Sequence, residues 1–111
     1  MLKWFLLIFF GLASFSALSV SYKIEICAIQ SHINGNAFIQ PCPDTSGKKW
    51  YSRNRCSAGD WISWSMSNIG GQVMYSTGLA AYTTGATVEL NLDGSSCHGA
   101  YDTTEVIRLV K

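Results

Sequence analysis

Two histidines are the residues of this chain best suited to proton transfer. His32 lies beside an Asn-Gly-Asn turn, and His98 follows a cysteine. With Glu25 as the carboxylate they have the residue types of a small ribonuclease, in which one imidazole takes the 2′-hydroxyl proton and the other protonates the leaving oxygen. No motif fixes their relative geometry, so the sequence favours the interpretation that both are solvated loop residues. We therefore predict no catalytic residue, and keep the ribonuclease as the enzymatic alternative.

A second candidate site is the stretch KKWYSRNRC, residues 48–56, in which four basic side chains accompany two aromatic rings. This combination suits a phosphate backbone, a sulfated glycan or an acidic protein surface. The alternative is a solvated charged loop. Without Lys3 the chain has seven basic and seven acidic residues, so any anion-binding surface must be local. The candidate binding residues of this stretch are Lys48, Lys49, Trp50, Tyr51, Arg53 and Arg55.

Trp61 is the remaining candidate binding residue. The stretch DWISWSM alternates in the manner of a strand, with Ile62 and Trp64 on one face and Trp61 on the other. If the first face lies in the core, Trp61 lies on the opposite face, where a tryptophan can mark an interface or stack on a sugar. The alternative is that a loop covers it.

Neither a metal nor a cofactor is predicted. The cysteines lack a CxxC pair for zinc, and the aspartates lack the spacing of an EF-hand. The chain has no GxSxG nucleophile elbow and no Gly-rich phosphate loop.

The cysteines predict two disulfides. An even number of cysteines in a small exported domain is typical of a disulfide framework. Four cysteines allow three pairings, and we favour the nested one, which ties the first strand to the C-terminal part. The favoured bonds are Cys27–Cys97 and Cys42–Cys56.

The hydrophobic pattern has a period of two and predicts strands. Alternation is clear in YKIEICA, DWISWSM and ATVELNL, and shorter strands are expected at NAFIQ, QVMYS and the C-terminal TTEVIRLVK. No helix is predicted after the N-terminal segment. The fold class is therefore all-β: a small disulfide-stabilised β-sandwich or barrel of about six short antiparallel strands.

The N-terminus has the layout of a secretory signal peptide. Lys3 precedes an apolar run, and Ala17 and Ser19 suit a cleavage after residue 19. A membrane anchor is the alternative, but the run is shorter than the roughly 20 residues that a spanning helix needs. The expected organisation is a signal peptide at 1–19 and one secreted β domain at 20–111.

The alternating first strand with its cysteine (YKIEIC) and the strand series after Cys56 resemble small secreted fungal effectors of the ToxB-like β-sandwich class. The segment from CSAGDWISW to YTTGATVELN also resembles killer-toxin-like domains of the βγ-crystallin type. Both resemblances imply a secreted protein that works by binding to a host or a competitor.

The expected function is accordingly that of a secreted, effector- or toxin-like binding protein without enzymatic activity. The expected partner is a host or target-cell protein or an anionic surface; nucleic acid is a less favoured partner, and no membrane is expected after signal cleavage. Two alternatives stay open. One is the ribonuclease, and the other is a carbohydrate- or wall-associated structural protein.

Overall fold

A computed structural model describes residues 20–48, 50, 56–92 and 96–111. The described part of the chain is built mainly from strands, as the alternation predicts. The elements are β1 (Val20–Ile24), β2 (Ile26–Ser31), β3 (Asn36–Pro41), β4 (Ala58–Ser65), α1 (Gly71–Thr84), β5 (Val88–Leu92), β6 (Cys97–His98), β7 (Tyr101–Asp102) and β8 (Ile107–Leu109). No helix in the described part of the chain is long and apolar enough to cross a membrane.

The strands form two sheets that share one segment of chain. The three-stranded sheet has the order β1-β5-β8, and the five-stranded sheet has the order β2-β3-β4-β7-β6. Only Glu25 separates β1 from β2, so the chain bends there from one sheet into the other. All pairs are antiparallel except β4 with β7, which is parallel.

The C-terminal segment joins the two sheets a second time, because β7 pairs with β4 and β8 pairs with β5. Between them lies Thr104, which is 3% exposed; its hydroxyl is 3.0 Å from the carbonyl oxygen of Asn91 in β5 and 2.8 Å from that of Val106. The sheets thus close into a barrel whose circuit runs β1/β2, β3, β4, β7/β8, β5. In chain order the helix lies between β4 and β5, and β4 is parallel to β7.

The core fills the interior of this barrel. Its fully or almost fully buried side chains come from β2, β3, β4, β5, β8, the helix and the loop before β4, and they are Ile26, Ala37, Ile39, Trp50, Ile62, Trp64, Ala81, Val88, Leu90, Leu92 and Ile107. The alternation in β4 and β5 therefore predicts the correct inward faces. Trp64 also anchors the helix, since its Nε1–H donates to the carbonyl of Gly71 at 2.9 Å.

The helix α1 corrects the sequence prediction, which placed a strand at QVMYS. The buried residues of α1 are Gly71, Gly78 and Ala81. Their spacing is helical, but they are too small to produce a strong hydrophobic period, so the short alternation of Val73 and Tyr75 was misleading. Gly85 ends the helix in the left-handed conformation at φ 74°, and its N–H donates to the carbonyl of Ala81.

The disulfides also correct the prediction. All four cysteines are bonded, but the pairs are Cys27–Cys42 and Cys56–Cys97 rather than the nested arrangement. Cys27 follows Ile26 in β2 and Cys42 follows Pro41 at the end of β3; Ile26 and Pro41 are a register pair, and the Cα atoms of the two cysteines are 4.8 Å apart. The hairpin β2–β3 thus brings its own two cysteines together, and Cys56 remains for Cys97.

The pairing sets the cost of removing each bond. The closed loops span 15 and 41 residues. On the chain-entropy model, serine at both Cys27 and Cys42 should cost about 3 kcal/mol of unfolding free energy, and serine at both Cys56 and Cys97 about 4 kcal/mol. Urea unfolding of the two double variants measures these costs, and a non-reduced peptide map that joins Cys27 to Cys97 would contradict the pairing.

Two buried glycines of α1 should respond oppositely to alanine. A Cβ at Gly71 would lie 2.4 Å from the carbonyl oxygen of Ser65, whereas a Cβ at Gly78 would meet only side-chain atoms, the nearest being Ile29 Cδ1 at 3.4 Å. We expect Gly71→Ala to destabilise the fold by about 1–3 kcal/mol. Gly78→Ala should be neutral or stabilising by up to about 1 kcal/mol through helix propensity. Thermal unfolding of both variants tests the docking of the helix, and equal losses would contradict it.

Candidate functional site

The outside of the five-stranded sheet carries a cluster of rings, which we call the aromatic face: His32, Phe38, Trp61 and Tyr101. Phe38 lies at its centre. The ring centroid of Phe38 is 4.4 Å from that of His32, 5.0 Å from that of Tyr101 and 6.2 Å from that of Trp61. The Tyr101 and Trp61 rings meet Phe38 edge to face, at 85° and 90°.

Strand alternation places these rings outside the barrel. In β3, Ala37 and Ile39 point into the core, so Phe38 points outward; in β4, Ile62 and Trp64 point into the core, so Trp61 points outward. Phe38 is only 5% exposed because the other rings cover it. Trp61 and Tyr101 are half-buried and His32 is exposed, so these three rings present the surface that a ligand could reach.

The aromatic face is bordered by neutral polar groups. Nε2 of His98 is 2.9 Å from Oδ1 of Asn36, and Nε2 of His32 is 2.9 Å from Nε2 of Gln30. The hydroxyl of Ser63 donates to the carbonyl of Ala37 at 2.8 Å and is fully buried. None of the outward-pointing residues of β2, β3 and β4 in this region is charged; they are Ala28, Gln30, Asn36, Phe38, Gln40, Trp61, Ser63 and Ser65.

The two histidines of the ribonuclease alternative lie on this same side of the barrel. The register pairs His98 with Tyr101, which puts both side chains on one face. Glu25 does not join them. It precedes β2, whereas His32 follows it, so the two residues are roughly 20 Å apart along the strand. Glu25 thus lies at the opposite end of β2 from His32, and the ribonuclease alternative stays a prediction.

The basic stretch is only partly within the described residues. Lys48 is exposed at the end of a loop, whereas Lys49, Tyr51, Arg53 and Arg55 lie outside the described residues. Trp50 belongs to the core: it is 7% exposed, and its ring meets that of Tyr22 edge to face at 5.4 Å. This burial leaves little of the indole for stacking on a ligand, and corrects its prediction as a surface residue.

Lys48 and Trp50 line a groove of about 550 Å³ at the junction of β1 and β2. The groove has the carboxylates of Glu25 and Asp44 as well as the ammonium groups of Lys23 and Lys48. Its charges are balanced, which does not favour an anionic ligand. No group of three metal-ligating side chains comes together among the residues that the structure describes.

Of the rings of the aromatic face, the sequence analysis names Trp61 as a binding candidate and His32 as part of the ribonuclease alternative, but it misses Phe38 and Tyr101. The outward position of Phe38 could have been predicted from the sequence, because an inward-pointing Ile39 in the strand NAFIQ requires the adjacent Phe38 to point outward. Tyr101 had no such signal, since β7 is a strand of two residues.

No protein-family model matches this chain, and comparisons with curated proteins and with solved structures found no match.

The carboxylate of Asp44 accepts hydrogen bonds that hold the loop before Lys48, so protonation of Asp44 should change the conformation of this loop. Its Oδ1 accepts from the hydroxyl and N–H of Ser46, at 2.6 and 2.9 Å, and from the N–H of Lys48 at 2.9 Å. These bonds, the Ser46 hydroxyl first, hold the pKa of Asp44 below its ordinary value of 3.8. A lowered folded pKa means that the stabilisation is present above pH 3.8 and is lost as the pH falls through the folded value.

An NMR titration of the Ser46 and Lys48 amides should therefore show a common midpoint below 3.8. Asp44→Asn should remove that transition. A midpoint at or above 3.8 would contradict the role of Asp44 in the loop.

Proposed function

We propose that this protein is a small secreted binding protein without enzymatic activity, and that it takes a carbohydrate ring on the aromatic face. The observation that carries the proposal is the uncharged cluster around Phe38, in which Trp61 and Tyr101 remain half-exposed. Its two disulfides are typical of exported proteins and support secretion.

The chemistry of the aromatic face favours a sugar. A pyranose ring has an apolar face that stacks on an indole or phenol and a rim of hydroxyls that need neutral donors and acceptors. Asn36, Gln30 and the two imidazoles supply such groups at the border of the rings. A protein partner of flat apolar character would need less polar surroundings, and a nucleic acid would need cations for its phosphates.

The position of the aromatic face agrees with this proposal by analogy. The analogy is with OB-type barrels, five-stranded barrels that bind oligosaccharides and oligonucleotides on their second and third strands and at the adjoining loops. When β1 and β2 are counted as one strand, the second and third strands of this barrel are β3 and β4, which carry Phe38 and Trp61. His32 begins the turn between β2 and β3. Fold analogy alone assigns no ligand, so the proposal depends on the rings themselves.

A glycan ligand fits the expected partner, a host or target cell, and the effector- or toxin-like role remains part of the proposal. The expectation of an anionic surface depended on the basic stretch, of which only Lys48 stands on the described surface. That expectation stays a prediction, separate from the aromatic face.

The ribonuclease remains a second candidate, because His32 and His98 share one side of the barrel. Against it stand the distance of Glu25 and the lack of a cationic group among the outward residues of β2, β3 and β4. Incubation of the oxidised protein with RNA distinguishes the two. Cleavage that His32→Ala or His98→Ala abolishes would establish the enzyme.

Trp61→Ala should weaken saccharide binding by about fivefold or more, since loss of a stacking ring costs about 1 kcal/mol. The assay is an NMR titration of the protein with a panel of neutral tetrasaccharides, including β-linked glucose and N-acetylglucosamine oligomers. Tyr101→Phe should bind with a smaller loss, because the ring remains.

Tyr82→Ala is the matched control for that titration. Tyr82 is an exposed ring, 47% accessible, on α1 and therefore away from β3 and β4. Its removal should leave saccharide affinity unchanged. Binding that survives Trp61→Ala, or no binding of any neutral oligomer, contradicts the proposed site.

A further inference from the structure

The aromatic face carries two ionisable side chains whose charge the proposed function does not use. His32 is exposed and lies against the Phe38 ring at 4.4 Å. His98 is half-buried, bonds Asn36 and is paired in register with Tyr101. Histidine is the side chain that gains its charge between about pH 8 and 5, so acidification adds up to two positive charges to a region of neutral residues.

Two acidic residues lie close by in sequence: Asp102 of β7 is buried and pairs in register with Cys97, on the strand face opposite His98, and Asp60 of β4 is exposed beside Trp61. The outward residues of β2, β3 and β4 are uncharged, and from β7 the neighbour is the neutral phenol of Tyr101. Among the described residues neither imidazole takes part in an ion pair. Glu105 lines a groove of about 500 Å³ together with His98 but forms no ion pair with it.

We propose that acidification converts the aromatic face from a site for a neutral sugar ring into a site for a sugar ring that bears a carboxylate. This inference rests on the proposed function and names the charge class of its ligand. The rings around Phe38 hold the sugar at every pH, and the two imidazolium groups add charge-assisted hydrogen bonds to the carboxylate only when protonated.

The change in His32 is local and leaves the fold intact. Neutral His32 accepts a hydrogen at Nε2 from the Gln30 amide, and the imidazolium must donate there instead. A rotation of the Gln30 amide presents its oxygen and restores the bond. His98 needs no such rotation, because Asn36 Oδ1 is an acceptor for either protonation state.

The test compares methyl glucoside with methyl glucuronoside, which share one ring and differ in a single carboxylate. NMR titrations of the oxidised wild-type protein at about pH 8 and about pH 5 span the histidine range. The ratio of glucuronoside affinity to glucoside affinity should rise by about fivefold or more on acidification, the scale of one to two exposed ion pairs. The double variant His32→Gln/His98→Gln should remove that rise; because both affinities are measured on the same variant, a contact that both sugars lose cancels in their ratio.

Each single histidine variant, checked for its fold by circular dichroism, should remove part of the rise. Glu105→Gln is the control, and should keep or increase it. A ratio that does not change with pH, or a rise that persists in the double variant, overturns this inference alone. If neither sugar binds at either pH while Trp61→Ala changes nothing, the proposed function is overturned with it.

Discussion

The bend at Glu25 is the constraint on which the barrel depends. Ile24 pairs with Val88 in one sheet, and Ile26 pairs with Pro41 in the other. The carbonyl of Glu25 accepts from the N–H of Cys42 at 2.9 Å, so the backbone stays paired through the bend. Because the continuous segment β1–β2 belongs to both sheets, the sheets enclose one interior. Each strand therefore contributes one of its two faces to the core.

Because the barrel is closed, its inward-facing residues form the core, and the outward-facing residues of the same strands can form a binding surface. In β3 and β4, alternate residues fill the core, and their neighbours Phe38 and Trp61 add little to it. Phe38 is nevertheless 5% exposed, because the surrounding rings bury it on the outside of the sheet. Such a cluster adds stability through apolar burial while it leaves half-exposed ring surface for a ligand.

Charge is distributed unevenly over the surface. The groove at the β1–β2 junction combines carboxylates with ammonium groups, and the pair Arg108–Glu89 bridges β5 and β8. The outward side of β2, β3 and β4 has no charged side chain in the described region but has both histidines at its border.

The sequence by itself determined the mostly-β class, the inward faces of β4 and β5, the turn before Asn36 and the outward position of Trp61. Each of these follows from alternation or turn chemistry within one strand or hairpin, which is local information. The helix escaped prediction because its buried face consists of Gly71, Gly78 and Ala81, whose small size reflects close approach to the barrel rather than hydrophobicity.

The tertiary structure alone decided which cysteines pair and which rings meet. Strand register joins Cys27 to Cys42, and the parallel pairing of β4 with β7 brings Tyr101 to Phe38 across long stretches of chain. The burial of Trp50 could not be predicted either, because its sequence neighbours are basic and indicate an exposed loop, whereas the residues that bury it are distant in sequence. Contacts between strands distant in sequence leave no periodic signal in either strand, and the candidate site is made of such contacts.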